Sequence, residues 1–365
     1  MYHFTRGMPS YLREKLLQEY LFPISYNGNM PTTLAPTKTL KHRNSLKLNT
    51  HLSLSPNGKK PIRFIDLFCG IGGFHSAAAK LGWKAVLACD INEPARKAYF
   101  ANYGLNPVGD IRSLNAQEIP DHDVLLAGFP CQPFSIIGAR KGFRDARGTL
   151  FFEIARILKE KQPSYFVLEN VKMLAGDNKG KTLTRIITIL RSLGYTVDWR
   201  VLNALNFGLP QKRERVLIVG RKTSVPYEWP KGDLPMTPLA EILEKSVPQE
   251  FYVSERIRKS RQAEHTAVCK PAIWHENKAG NVSSHPYSCA LRAGASYNYL
   301  LVDGTRRMTP RELLRLQGFP ESFKIVCPVS ETRTQVGNAV PVPLVEAVLR
   351  NLITTVKREP KCNQG

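Results

Sequence analysis

The chain reads as an α/β protein: a doubly wound, largely parallel sheet with a smaller domain inserted late in the sequence. Three observations predict this. From Pro61 to Gly220, short apolar runs alternate with amphipathic helical stretches, the rhythm of βα units. A loop with glycines at 70, 72 and 73 directly follows the first apolar run, where a doubly wound sheet places a ligand-binding turn. From Lys222 to Thr305 the rhythm stops, and helical pattern returns only at Thr309–Gln317 and Leu344–Val356.

Each element has its own signal. Ile62–Leu67 is a strand, and the glycine loop leads into a short helix ending at Gly82. Ala85–Cys89 is a second strand. Asn92 then serves as N-cap, with Pro94 in the first turn and Gly104 past the end, the expected asymmetry of a helix. Asp110, in a Gly-Asp-Ile triplet, ends a third strand. Val124–Phe129 is a strand, Phe151–Lys161 a helix and Tyr165–Leu168 a strand ending at Glu169. Leu183, Ile186, Ile187, Leu190 and Leu193 keep one helical face, which Gly194 closes. Arg215–Gly220 is again a strand. The inserted stretch carries ten basic and nine acidic residues, so its charges nearly cancel.

The whole chain is far from neutral. Its 365 residues carry a formal charge of +22 and a pI near 9.8, which calls for a polyanionic partner, nucleic acid above all. A hydrophobic fraction of 42% is that of a soluble protein. No run reaches the roughly 18 apolar residues of a membrane span, and the N-terminus lacks the apolar core of a secretory signal. Seven cysteines without a Cys-x-x-Cys pair fit a reducing compartment. Residues 1–60 hold nine Lys/Arg and two acids, Glu14 and Glu19. Pro9–Leu21 fits one amphipathic helix and the rest a flexible arm. A DNA-tracking arm, a solvated extension, a later start at Met30 and an organelle transit peptide all remain open for it.

The chemistry lies in the loops after the strands. In Asp-Leu-Phe-Cys-Gly-Ile-Gly-Gly-Phe (66–74), the glycines let backbone turn tightly and approach a ligand at a helix N-terminus. Asp90, twenty residues after Gly70, ends the next strand, where an acid accepts hydrogen bonds from ribose hydroxyls. A second acid, Asp110, disfavours a pyrophosphate-bearing dinucleotide and suits a nucleoside with a cationic tail, such as S-adenosylmethionine. Cys131 sits in Gly-Phe-Pro-Cys-Gln-Pro-Phe-Ser (128–135), between Pro130 and Gln132–Pro133. The proline fixes its own φ and holds Phe129 extended, so the thiol is presented on a stiff turn after a buried strand. Glu169 ends a neighbouring strand. Cys89 reads as core and Cys69 as a small filler of the loop. A thiolate adding to carbon 6 of cytosine makes carbon 5 enamine-like and able to take a methyl group, and an acid protonating N3 eases that addition. Nearby positive charge favours the thiolate. Gln-Lys-Arg-Glu-Arg (211–215) supplies Arg213 and Arg215 on one side of a strand edge, one for the base carbonyl and the other for a phosphate.

These motifs, with Asp145–Glu153, Arg307–Pro320 and Gln335–Leu344, stand in the order of the DNA (cytosine-5)-methyltransferase family, which the chain resembles over most of residues 61–350. The resemblance implies a Rossmann-like S-adenosylmethionine-dependent domain, with Cys131 as nucleophile and Glu169 as the acid at N3. It implies that Arg215 contacts a flipped cytosine and that Arg213 organises the site. Phe68, Ile71, Gly73, Asp90, Ile91, Asp110, Ile111, Leu150 and Asn338 would line the cofactor pocket. The family often has Glu at the place of Asp90 and Trp at that of Ile91; the second departure removes a ring that would face adenine. The family extrudes its target base, and residues 136–147 resemble its closing loop, with Gly138 and Gly142 as hinges. Gln132, Ser135, Arg140, Lys141 and Arg144 would meet DNA there.

By the same resemblance, residues 222–305 are the target-recognition domain, and Arg292, Tyr297 and Asn298 would read bases. Residues 306–356 would complete the catalytic domain. The expected partner is double-stranded DNA, bound by a monomer in a bacterial cytoplasm, with a cognate restriction endonuclease acting on the same site. A tRNA cytosine-5 methyltransferase on this scaffold and a non-catalytic DNA-binding regulator are the alternatives. No metal is expected: His265, Cys269, His285 and Cys289 form two His-x3-Cys pairs but no tight Cys-x2-Cys knuckle.

Overall fold

The computed structural model describes residues 60–130, 149–267 and 269–357. The basic N-terminal extension, and with it the expected helix at Pro9–Leu21, lies outside the described residues, as do Cys131, Gln132, Ser135, Arg140, Lys141 and Arg144.

The central sheet has six strands: β1 (Arg63–Leu67), β2 (Lys84–Cys89), β3 (Val124–Gly128), β4 (Tyr165–Val171), β5 (Thr196–Asn203) and β7 (Glu214–Arg221), in spatial order β2-β1-β3-β4-β7-β5. β1 pairs in parallel with β2 and β3, and β3 with β4, whereas β7 runs antiparallel between β4 and β5. The sheet is therefore parallel-rich but mixed. β5 carried no clear sequence signal, because its burial alternates irregularly at the sheet edge. The third strand expected before Asp110 shrinks to one parallel bridge, Cys89 with Val108.

Successive residues of the central strands enter two apolar layers. Phe64, Val124, Leu126, Val167 and Leu217 face one side, and Ile65, Leu67, Leu125, Leu168 and Ile218 the other. Burial on both faces explains why these strands read as continuous apolar runs. The first layer takes α1 (Gly73–Lys80), α2 (Glu93–Tyr103) and the closing helix α9 (Val342–Lys357). The second takes α3 (Thr149–Lys161) and α4 (Lys181–Ser192), through Ile154, Leu158, Ile186 and Leu190. Each such side chain, fully buried, contributes roughly 1.5–3 kcal/mol. The α2 ends are as expected: Asn92 accepts from the Ala95 N–H at 2.8 Å, and Gly104 closes the helix at φ 68°.

Beyond β7 the chain forms α5 (Leu239–Ile242) and α6 (Glu255–Glu264), then a small antiparallel sheet of β8 (Ile273–Glu276), β9 (Val282–His285) and β11 (Leu300–Val302). Between them β10 (Ser288–Cys289) pairs in parallel with β6 (Gln211–Lys212). Ile273, Leu291, Tyr299 and Leu300 belong to the same apolar cluster as α1 and α9, while Ala272, Trp274 and Leu301 form a small cluster of their own. The chain then returns through α7 (Pro310–Leu316) and α8 (Val329–Asn338) to α9. A capping box starts α7: the Glu312 N–H donates to Thr309 Oγ1 and the Thr309 N–H to the Glu312 carboxylate. No helix among the described residues is long and apolar enough to cross a membrane.

Candidate active site

The glycine loop between β1 and α1 is held in strained backbone. Phe68, Gly70 and Gly72 have φ of 55°, 53° and 85°, and a positive φ at an aromatic residue is uncommon outside sites that need it. Two bonds fix the loop to the end of β2: the Cys69 N–H donates to the Cys89 carbonyl at 3.0 Å, and the Gly70 N–H to Asp90 Oδ2 at 2.7 Å. Gly73 must lack a side chain, since a Cβ there would stand 2.7 Å from Val340 Cγ2 and 2.9 Å from the Val340 carbonyl oxygen.

Asp90 stands beside this loop. Its other oxygen accepts from the Asn92 N–H at 2.8 Å, leaving lone pairs on both oxygens for further donors. Ile91 is 69% exposed, an apolar surface next to the acid. Asp110 caps a short 3-10 turn over Ile111–Ser113 and pairs with Arg112. That bond and charge hold the Asp110 carboxyl below its usual range. Phe68 and Leu150 pack, half-buried, against the cluster containing Ile111. Asn338 is exposed at the end of α8, two residues before Val340. Ile71 and Ile111, at 1% and 3% exposure, are core residues.

The second part of the site lies across β3, β4 and β7. Gly128, the last residue of β3, pairs with Glu169, which pairs in turn with Leu217. Glu169 lies inside β4, which continues to Val171. Glu169 Oε1 receives Arg215 Nε at 2.8 Å, with both side chains largely buried. Burial raises the Glu169 carboxyl above its ordinary pKa, outweighing Arg215 and Arg213. Gly128 lies beside it: a Cβ there would stand 3.6 Å from Glu169 Oε2, an ordinary van der Waals contact. The adjacent Asn170, 1% exposed, donates from Nδ2 to the Phe129 carbonyl at 2.9 Å. It thus fixes the backbone two residues before Cys131. Sequence reasoning passed over Asn170, although it adjoins Glu169.

Arg213 is 1% exposed. It donates from Nη1 to the Leu291 carbonyl at 2.8 Å, and from Nη2 to the carbonyls of Gly337 and Ala339 at 2.9 and 2.8 Å. Burial, with Arg215 nearby, pushes its pKa down to about 9, so it is still charged at neutral pH. Its Nη donors serve backbone carbonyls away from the surface, and its Nε is buried without an acceptor among the described residues. Gln211 adds to the junction, donating to the Leu316 carbonyl at 2.9 Å and accepting from the Leu291 N–H at 3.0 Å.

The strand ends therefore bring together a glycine loop with an acid beside it, a buried carboxyl–guanidinium pair, and the strand that leads to Cys131. A family model for C-5 cytosine-specific DNA methylases matches residues 62–354. The chain belongs to that family.

The methylase is 52% identical over 286 residues to the Type II methyltransferase M.NgoBI of Neisseria gonorrhoeae, covering 78% of this chain and 90% of that protein. It is 48% identical over 300 residues to M.HaeII of Haemophilus aegyptius, covering 81% and 94%. Among solved structures it superposes on the S. pombe Dnmt2 methyltransferase with a TM-score of 0.63 and 23% identity, over 82% of this chain and all of that one, a likeness of fold. The family works with a methyl donor, in general S-adenosylmethionine.

Farther along the methylase, Arg292 and Tyr297 are exposed, and Arg292 lies over the Tyr299 ring at 5.0 Å. Asn298 is half-buried, with its Oδ1 buried and without a hydrogen-bond partner among the described residues. His265 Nε2 bonds to Ser284 Oγ at 2.8 Å and His285 stacks on Tyr287 at 5.0 Å, so both rings have other partners. Among the described residues no group of three or more His, Cys, Asp or Glu is placed to hold a metal. Cys69 and Cys89 are buried, and burial pushes the Cys89 thiol up to about 12.

Proposed function

We propose that the chain methylates carbon 5 of a cytosine within a specific double-stranded DNA sequence, with Cys131 as the covalent nucleophile. The observation that carries this is the buried Glu169–Arg215 pair, one strand away from the exit toward Cys131. The cofactor loop fits a nucleoside methyl donor. Its glycines leave no side chain over the α1 N-terminus, Asp90 keeps free lone pairs, and Ile91 offers an apolar face. Bound there, S-adenosylmethionine supplies an electrophilic methyl group.

The Cys131 thiolate, its proton released to solvent, bonds to carbon 6 of the extruded base. Glu169, kept protonated more readily by its burial, gives its proton to N3, and the electrons of the 5,6 double bond become available at carbon 5. Carbon 5 takes the methyl group as its bond to the sulfonium sulfur breaks, and the donor leaves as a neutral thioether. Loss of the carbon 5 proton to water then expels Cys131 as the thiolate, restores the double bond and returns the N3 proton to Glu169. Arg215 holds Glu169 in place and offers its remaining donors to the base carbonyl. Arg213 keeps the site assembled from below.

We assign target recognition to residues 222–305, with 61–221 and 306–356 as the catalytic domain. Arg292, Tyr297 and Asn298 are the proposed base readers, and Gln132, Ser135, Arg140, Lys141 and Arg144 the proposed contacts of the closing loop. The named relatives are Type II methyltransferases, which supports a role in protecting host DNA from an endonuclease of the same specificity. Methyl transfer from labelled S-adenosylmethionine, compared on duplex DNA and on tRNA, tests the substrate. Label entering tRNA and not DNA would reverse the assignment. Cys131→Ala is expected to abolish transfer while the methyl donor still binds.

A further inference from the structure

We propose that Arg307 and Arg333, gathered around Tyr297 beside the base reader Arg292, form a clamp for a backbone phosphate of duplex DNA. The proposal rests on the DNA reading above and adds Arg307 and Arg333, which that reading leaves without a role.

The Arg333 guanidinium lies 3.8 Å from the centre of the Tyr297 ring and that of Arg307 5.6 Å away. Arg292, Tyr297, Arg307 and Arg333 line one cleft, and an adjoining cleft of about 190 Å³ shares the last three. Tyr297 is 44% exposed, so this cluster reaches the surface.

The charges are uncompensated. Arg215, Arg306 and Arg315 each pair with a carboxylate at 2.7–2.8 Å. Among the described residues, none of Arg292, Arg307 and Arg333 does. Arg333 donates to the Ser296 carbonyl at 3.2 Å and Arg307 to the Glu250 carbonyl. Arg307 Nε is buried without an acceptor. Glu250, exposed at the rim, is the acidic residue among those lining the two clefts.

Guanidiniums brought together without a carboxylate repel one another and favour an anion with several acceptor oxygens, which a phosphodiester presents. A ring packed against two of them limits their rotamers, so less freedom is lost on binding. The parts of the cluster also come from separate stretches of the chain. Arg292 and Tyr297 precede β11, Arg307 precedes α7 and Arg333 lies on α8. One phosphate would therefore tie the proposed recognition segment to the helix that ends at Asn338. Such a contact positions the duplex and carries no sequence information.

The test is DNA binding by the full chain as a function of salt, with one labelled duplex containing the target and one lacking it. Arg307→Gln/Arg333→Gln is expected to lower the slope of log K against log salt by about 1. It should weaken both duplexes by the same factor and leave S-adenosylmethionine binding unchanged. Arg307→Lys/Arg333→Lys should keep most of the slope. An unchanged slope in the Gln variant overturns the clamp, and so does a loss confined to the target duplex. If the double variant no longer binds S-adenosylmethionine, Arg333→Gln alone is read by the same criteria. Failure of the unaltered chain to bind any duplex would instead overturn the DNA reading on which the clamp rests.

Discussion

Arg213 donates to the Leu291 carbonyl at 2.8 Å across 78 residues of sequence, and the same guanidinium holds the carbonyls of Gly337 and Ala339. One buried cation thus joins the β10–β11 segment, the end of α8 and the strand that carries Arg215. Arg213→Lys keeps the charge but replaces a planar fork with one point donor. Leaving buried carbonyls unpaired costs about 1–3 kcal/mol. A loss of that size should appear in denaturant unfolding, with at least a tenfold fall in methyl transfer. Unfolding and activity both like those of the unaltered chain would remove Arg213 from the architecture described here.

Glu169→Gln keeps the shape of the site and removes its transferable proton. General acid catalysis contributes roughly 10²–10⁴-fold. We expect kcat to fall within that range while the affinities for duplex and methyl donor change only a few-fold. Single-turnover transfer with separately measured binding checks this; a proportionate rise in Kd with kcat intact would make Glu169 a binding residue instead.

Gly73→Ala places a methyl group 2.7 Å from Val340 Cγ2 and 2.9 Å from its carbonyl oxygen. Overpacking of this kind costs about 1–3 kcal/mol, and here it shifts the cofactor loop. The variant should unfold earlier and bind S-adenosylmethionine more weakly by calorimetry. Adding Val340→Ala removes the first contact and leaves the second, so recovery should be partial.

His75 gives the acid limb of stability. Burial lowers its pKa from 6.5 to about 4, and its ring bonds the Tyr99 hydroxyl at 2.6 Å. The folded state therefore favours the neutral ring. That stability is complete above about pH 6.5 and is lost as pH falls through 6.5 toward 4. His75→Gln should flatten this part of the stability–pH curve, and an unchanged slope would assign the acid loss to other groups.

The sequence made the β1–α1–β2–α2 unit legible because glycine and cap residues act locally. Asn92 and Gly104 each do the work their position suggested, while Gly73 makes room for Val340. What was hidden depends on partners far along the chain. The antiparallel course of β7 is set by β4 and β5, and its own apolar run does not encode direction. Strands β8 and β9 are four residues each and carry His275, Glu276, Ser283 and Ser284. Helix α6 is almost wholly polar. How Arg213 is anchored was not legible locally, because its three carbonyl partners lie 78–126 residues away. Asp66 was read only as part of the glycine motif. In the fold it is fully buried, neither oxygen has a hydrogen-bond partner among the described residues, and burial with Asp90 nearby raises its pKa well above the usual range.

The central claim is covalent attack by Cys131 on a cytosine in duplex DNA. Its most direct test is incubation with S-adenosylmethionine and a target duplex carrying 5-fluorocytosine, because fluorine at carbon 5 cannot leave as a proton does and the enzyme stays attached. The account predicts a denaturation-resistant protein–DNA adduct that is absent with Cys131→Ala. Full methylation of the normal duplex with no adduct on the fluorinated one, or an adduct that persists in Cys131→Ala, would contradict it.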